Sequence, residues 1–412
     1  MSKKLVISII IILLVLVGLG LFFFFSSQQE EVGEESSIFG FFPFGKPPTE
    51  TGLTGGDTEN GTFGRFGEGV VSDTSGVPVP VLRKITNTAT AGATLIETGS
   101  TTIRFLERGT GHVYDTYENS FSTVKISNTT IPKIYEAVWT NEGSGVIIRF
   151  LKEDNETIES FYAKLPGEGS SPEETSDLEG TFLTANILGL SASPEGGSIF
   201  SVTESATGGV GMVSKPDGSG GQSFSLPVKE WLVSWSQTNI VSLTTKPSAE
   251  AEGFLYFINA RTGILSKILG NIKGLTALTR SDGQKILYSE SVNSKINLYL
   301  FDRETGGSSI IPFETLPEKC VWGTTNTNIV YCAVPKSLSS GNYPDIWYQG
   351  IVSFNDSLWK INTNTKETEL IYDFSEQGAH VDLIQPILNT KENYLLFLNK
   401  KDLSLWGLRL AD

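Results

Sequence analysis

The stretch Ser281–Gly306, "SDGQKILYSESVNSKINLYLFDRETG", decides the reading of this chain. It parses as a turn, a short apolar strand, a polar loop, an alternating strand and a second turn. A lone hairpin of this kind is marginal in water, so the stretch makes sense only if similar units lie beside it. The pattern recurs seven times, with first strands starting near Ala91, Ile134, Leu188, Leu232, Leu275, Lys319 and Val381. The spacings are 43, 54, 44, 43, 44 and 62 residues. The two long ones each hold an insertion, Pro166–Glu179 and Lys336–Asp356.

A period of about 40–45 residues with four strands per unit marks a β-propeller. Each sheet has two apolar faces that only neighbours in a ring can cover. The clearest unit expects strands near Leu275–Leu278, Lys285–Ser289, Ile296–Phe301 and Ser308–Pro312. "SASPEGGSIFSV" (Ser191–Val202) reads as the first hairpin of the third blade. "GFLYFINARTGILSKIL" (Gly253–Leu269) and "DSLWKINTNTKETELIY" (Asp356–Tyr372) read as second hairpins of the fourth and sixth. The last unit has three strands before the chain ends, while Val81, Leu82, Arg83, Lys84 and Ile85 form a stray strand ahead of the first. Placing Val81–Thr86 as the outer strand of the last blade zips the ring shut and satisfies its edge.

These motifs resemble the repeats of the TolB-like propellers of the periplasmic Tol system, where "SPDG" marks the first turn and "LYxxD..TG" the second hairpin. "SPEG" (Ser193–Gly196) and "SDG" (Ser281–Gly283) carry the likeness, which covers Ala91 to Leu410 and implies architecture rather than a Tol role. That family's separate N-terminal α/β domain has no counterpart in this sequence.

The fold class expected is therefore all-β: a seven-bladed propeller over residues 80–412, preceded by a transmembrane helix and a disordered tether. Leu5–Phe25 is 21 residues without a charge, enough to span a bilayer core of roughly 30 Å. Lys3 and Lys4 before it and acidic residues after it orient the N-terminus to the cytoplasm. The segment reads as an uncleaved anchor (residues 1–25), the alternative being a cleaved signal peptide; its apolar run exceeds the usual ~7–15 residues. Localisation at the plasma membrane follows, with the propeller outside. Residues 26–79 hold nine acidic and two basic residues and no sustained period; as a flexible coil they would span on the order of 40 Å. Within them "IFGFFPFG" (Ile38–Gly45) is either an interfacial contact or a short docking motif.

The net charge of −15 disfavours nucleic acid as a partner. Two His and two Cys leave little room for metal sites or His-dependent catalysis. No G-x-S-x-G, H-E-x-x-H or calcium loop occurs, and no cofactor is expected. His112 and His380 fall in different blades. Cys320 and Cys332 are symmetric about Asn326 in an antiparallel hairpin, so they face each other as a disulfide or as paired core thiols. Trp139, Trp235 and Trp322 fall in first strands, Trp359 and Trp406 in third strands, a placement that suggests packing between blades. Tyr343, Trp347 and Tyr348 sit in the long insertion "NYPDIWYQG", as a contact patch or as rings folded back on their own blade. The functional expectation is a binding or scaffolding module for another envelope or secreted protein, or a surface polymer. The alternative is a propeller hydrolase or lyase acting on glycans or peptides through carboxylates around the central channel.

Overall fold

In the computed structural model, residues 71–73, 76–165 and 177–410 are described. The apolar segment, the tether up to residue 70, the Phe-rich segment and most of the Pro166–Glu179 insertion lie outside them. Among the described residues no helix is long and apolar enough to cross a membrane.

The described residues form seven four-stranded antiparallel sheets. Their first strands begin at Thr90, Ile134, Gly189, Trp231, Ala277, Cys320 and Leu383. Each of the first six blades is a simple meander of consecutive strands. The seventh is composite: Leu383–Leu388, Tyr394–Asn399 and Leu405–Arg409 come from the C-terminal end, and Leu82–Lys84 supplies the outer strand. Leu82 opposes Leu408, Arg83 opposes Gly407 and Lys84 opposes Trp406. Backbone bonds continue past both ends of this strand, from Arg409 to the Val81 carbonyl at 2.9 Å and from Ile85 to the Leu405 carbonyl at 2.7 Å.

Blade 5 shows why the alternation in the quoted stretch produces a ring. Its second strand is Lys285–Val292 and its third is Lys295–Asp302. Leu287, Leu298 and Leu300 point to one side and join Val330, Cys332 and Ile361 of blade 6 in one buried cluster. Ile286 and Tyr288 point to the other side and join Leu255 and Phe257 of blade 4. The period of two along a strand thus becomes contact with two different neighbours. Full burial of each such side chain stabilises the ring by roughly 1.5–3 kcal/mol.

The turns repeat as well. Asp302 Oδ1 accepts from the backbone of Glu304 at 3.0 Å and Thr305 at 3.2 Å. Asn259 does the same for Arg261 and Thr262, and Asn362 for Asn364 and Thr365. "DRETG", "NARTG" and "NTNTK" are therefore one turn chemistry in three blades. The left-handed position that closes it is Gly306 (φ 68°) and Gly263 (φ 72°), but Lys366 (φ 63°) in blade 6.

Meander topology gives the disc two faces. First-to-second and third-to-fourth loops share one, the turn face. Second-to-third loops and blade-to-blade links share the other, the link face. The Lys336–Asp356 insertion joins the second strand of blade 6, Ile329–Pro335, to its third, Asp356–Asn362, and so belongs to the link face.

Candidate functional site

The insertion is held down at both ends of its span and along its middle. The Gly341 amide donates to the Ser294 carbonyl in the second-to-third turn of blade 5 at 2.9 Å. Asp345 Oδ2 accepts from the Ala249 amide of blade 4 at 2.7 Å, and Asn342 donates to Glu250 at 3.0 Å. Between them runs one helical turn, α1 (Asp345–Tyr348), with Asp345 in its first turn. Nothing in the local sequence pattern marks this helical turn. Its aromatic face turns inward: Tyr343 is 1% exposed and Trp347 0%. Both share a buried cluster with Phe354, Leu316, Ile296 of blade 5 and Ile384, Leu396 and Leu398 of blade 7.

Of the two expectations for these rings, the structure shows them folded back, not exposed as a contact patch. Tyr343, Trp347 and Tyr348 are brought together, but as a lining beneath the loop rather than as a surface. The physical reason is the apolar ends of the inner strands on the link face. Covering them removes more apolar area from water than presenting the rings would. The Tyr348 hydroxyl donates to Glu318 Oε1, and Thr276 donates to the other oxygen of Glu318 at 2.8 Å. Burial, chiefly, raises Tyr348 well above the ordinary tyrosine value and Glu318 above the ordinary carboxylate value.

Under the loop lies a set of charges that sequence reading did not single out. Lys319 ends a 3-10 turn, Pro317–Lys319, just before the first strand of blade 6. Asp356 opens the third strand of the same blade. Asp382 precedes the first strand of blade 7 by one residue. Lys319 Nζ lies 2.7 Å from Asp356 Oδ2 and 2.6 Å from Asp382 Oδ1. All three side chains are 0% exposed.

The remaining polar atoms are almost all spoken for. Asp382 Oδ2 accepts from Trp347 Nε1 at 3.0 Å and from the Phe354 amide at 2.9 Å. Asp356 Oδ2 also accepts from the Leu383 amide at 2.7 Å. The Asp382 amide donates to Asn399 at 3.0 Å. Asp356 Oδ1, alone in this group, has no hydrogen-bond partner. The Lys319 ammonium stands 5.4 Å from the Trp347 ring centroid and 5.3 Å from that of Phe354. Lys400 of blade 7 approaches the Trp347 ring at 5.0 Å. Burial pushes the Asp356 carboxyl up to about 6; Lys319 opposes this and Asp382 adds to it. Burial pulls Lys319 down, yet Asp356 and Asp382 together hold it above the ordinary lysine value.

The sequence offered no handle on this cluster. Its members are 37 and 26 residues apart in order, and neither a motif nor a period marks a charged residue at the end of a link. The cysteines were legible. Cys320 pairs with Cys332 in register, and their sulfurs are 2.10 Å apart in a disulfide. This bond sits one residue from Lys319, in the same blade.

No known protein family matches the sequence, and no curated protein does. Solved structures do match. One is an oligogalacturonate lyase in complex with manganese, 10% identical, with a TM-score of 0.50 over 83% of this chain and 95% of that one. Another is the β-propeller domain of Cps50 (Swd1) from Myceliophteria thermophila, 11% identical, with a TM-score of 0.49 over 80% of this chain and 100% of that one. The fold is that of a seven-bladed β-propeller. At such identities the likeness extends to fold alone. Among the described residues no group of three His, Cys, Asp or Glu side chains is placed to hold a metal ion.

Proposed function

We propose that this protein is a membrane-anchored binding or scaffolding module, with residues 5–25 as the anchor and the propeller outside the plasma membrane. The observation that carries the reading is the construction of the link face. A loop of about twenty residues is fixed by contacts to blades 4, 5 and 7. Its outer side nonetheless presents Ile351 at 68% exposure, flanked by exposed Gln349, Gly350 and Ser353. A loop held in this way presents a preformed surface, which lowers the ordering cost of binding a partner. The partner class is another envelope or secreted protein, or a surface polymer.

The hydrolase or lyase reading is weaker. Lys319, Asp356 and Asp382 have the chemistry of a catalytic set, but a substrate would have to displace Trp347 and Phe354 to reach them. The test is affinity capture from an envelope extract with the soluble propeller, comparing wild type with Ile351→Asp. A variant with Trp347→Ala and Tyr348→Ala would report on folding and not on contact, because Trp347 is buried. Loss of specific partners in Ile351→Asp supports the reading. An unchanged set of partners removes the loop as the contact surface.

A further inference from the structure

The buried cluster has an arrangement that a plain ion pair does not need. A primary amine and a carboxyl are in contact in a fully buried site, with a second carboxylate bonded to the same nitrogen. Aromatic rings pack about the amine. Burial favours the neutral acid at Asp356, and an amine freed of one proton by Asp382 would stand in contact with it. Those are the forms that condense. We propose that Lys319 and Asp356 join in an intramolecular isopeptide bond, with Asp382 carrying protons between them.

The two aspartates are not equivalent, and the difference assigns their roles. Both oxygens of Asp382 are hydrogen-bonded, one of them to the Lys319 nitrogen, which places it to pass protons to and from that nitrogen. Asp356 has one oxygen bonded by the Leu383 amide and one without a partner. Burial favours the protonated form of Asp356. The step starts with Asp382 taking one proton from the Lys319 ammonium. The freed amine attacks Cγ of Asp356, forming the Nζ–Cγ bond, and negative charge develops on Oδ2. The Leu383 N–H, 2.7 Å from Oδ2, is positioned to stabilise that charge. Asp382 hands its proton to the Oδ1 hydroxyl and takes a second one from the nitrogen. The Cγ–Oδ1 bond breaks and Oδ1 leaves as water. Of the four protons, one remains on the amide nitrogen, two leave in the water and one ends on Asp382; no oxidant or other co-reactant is required. Fixed contact of this kind supplies the effective concentration that an uncatalysed amide condensation lacks.

The product would tie the link before blade 6 to the start of its third strand, enclosing the disulfide and the whole loop in one covalent ring. The test is peptide mapping by mass spectrometry of the full-length chain after reduction, alkylation and tryptic digestion. The expected result is one branched species joining the Lys319 and Asp356 peptides, lighter than their sum by one water, with no cleavage after Lys319. Lys319→Met and Asp356→Ala should abolish it, and Asp382→Asn should leave most of the chain unlinked. Recovery of the two wild-type peptides as separate linear species overturns the proposal, whatever the variants do. A branch to Asp382 in place of Asp356 overturns the assignment of roles.

Discussion

Blades 5 and 6 are built on the same four-stranded plan, yet they are held in different ways. Blade 5 relies on repetition: strand alternation feeds Leu287, Leu298 and Leu300 to one neighbour and Ile286 and Tyr288 to the other. Its loops are short, and Gly283 (φ 69°) and Gly306 (φ 68°) occupy the left-handed turn positions. Blade 6 keeps that packing but adds a disulfide, a buried lysine with two aspartates, and the loop they underlie. The lesson is that the ring needs none of the extra ties, because blade 5 does without them. The ties go with the insertion, which must lie over inner-strand ends that a short turn would leave to solvent.

That contrast can be broken or sharpened experimentally. The largest effect is expected for Lys319→Ala. It leaves two buried carboxylates without their cation, and removing one partner of a buried pair costs about 3–5 kcal/mol. Thermal unfolding should show a drop of several degrees together with faster proteolysis of the 336–356 loop. If the loop stays as protected as in wild type, the cluster does not hold it.

Next comes Leu298→Ala in blade 5, a fully buried position. A leucine-to-alanine cavity of this kind costs about 2–5 kcal/mol. Unlike the first variant, it should leave protection of the loop unchanged at temperatures below the transition. Equal loosening of the loop in both variants would erase the distinction between the blades.

The smallest effect is expected for the double change Cys320→Ala and Cys332→Ala. The enclosed loop is short, so the disulfide contributes at most about 3 kcal/mol, and an already fixed hairpin should lower that figure. Denaturant unfolding compared with the disulfide-intact wild type measures it. A loss larger than that of Lys319→Ala would make the disulfide the main tie of blade 6.

Ring architecture was readable because it is written in short-range signals. Turn residues at fixed offsets and a period of two need no knowledge of distant residues. "SDGQ" and "DRETG" predict their turns locally, and the first strands fall within about two residues of their expected starts. The composite seventh blade was readable for a related reason: a three-strand unit at one end and a stray strand at the other leave a single way to satisfy both edges. The inward turn of Tyr343 and Trp347 was not readable. An aromatic loop has the same sequence whether it faces solvent or its own blade, and only the apolar ends beneath it decide. The cluster of Lys319, Asp356 and Asp382 was further out of reach, since none of the three stands out along the chain.

The sequence by itself determined the propeller repeat, the turn chemistry and that Cys320 faces Cys332, because each rests on contacts between residues near in order or on a repeated spacing; the closed count of seven and the disulfide bond came from the structure. Tertiary structure alone decided which way the long loop faces and which charges meet beneath it. Those depend on two blade-to-blade links and the end of the long insertion converging at one buried point, where burial, not local pattern, sets the environment of the charges.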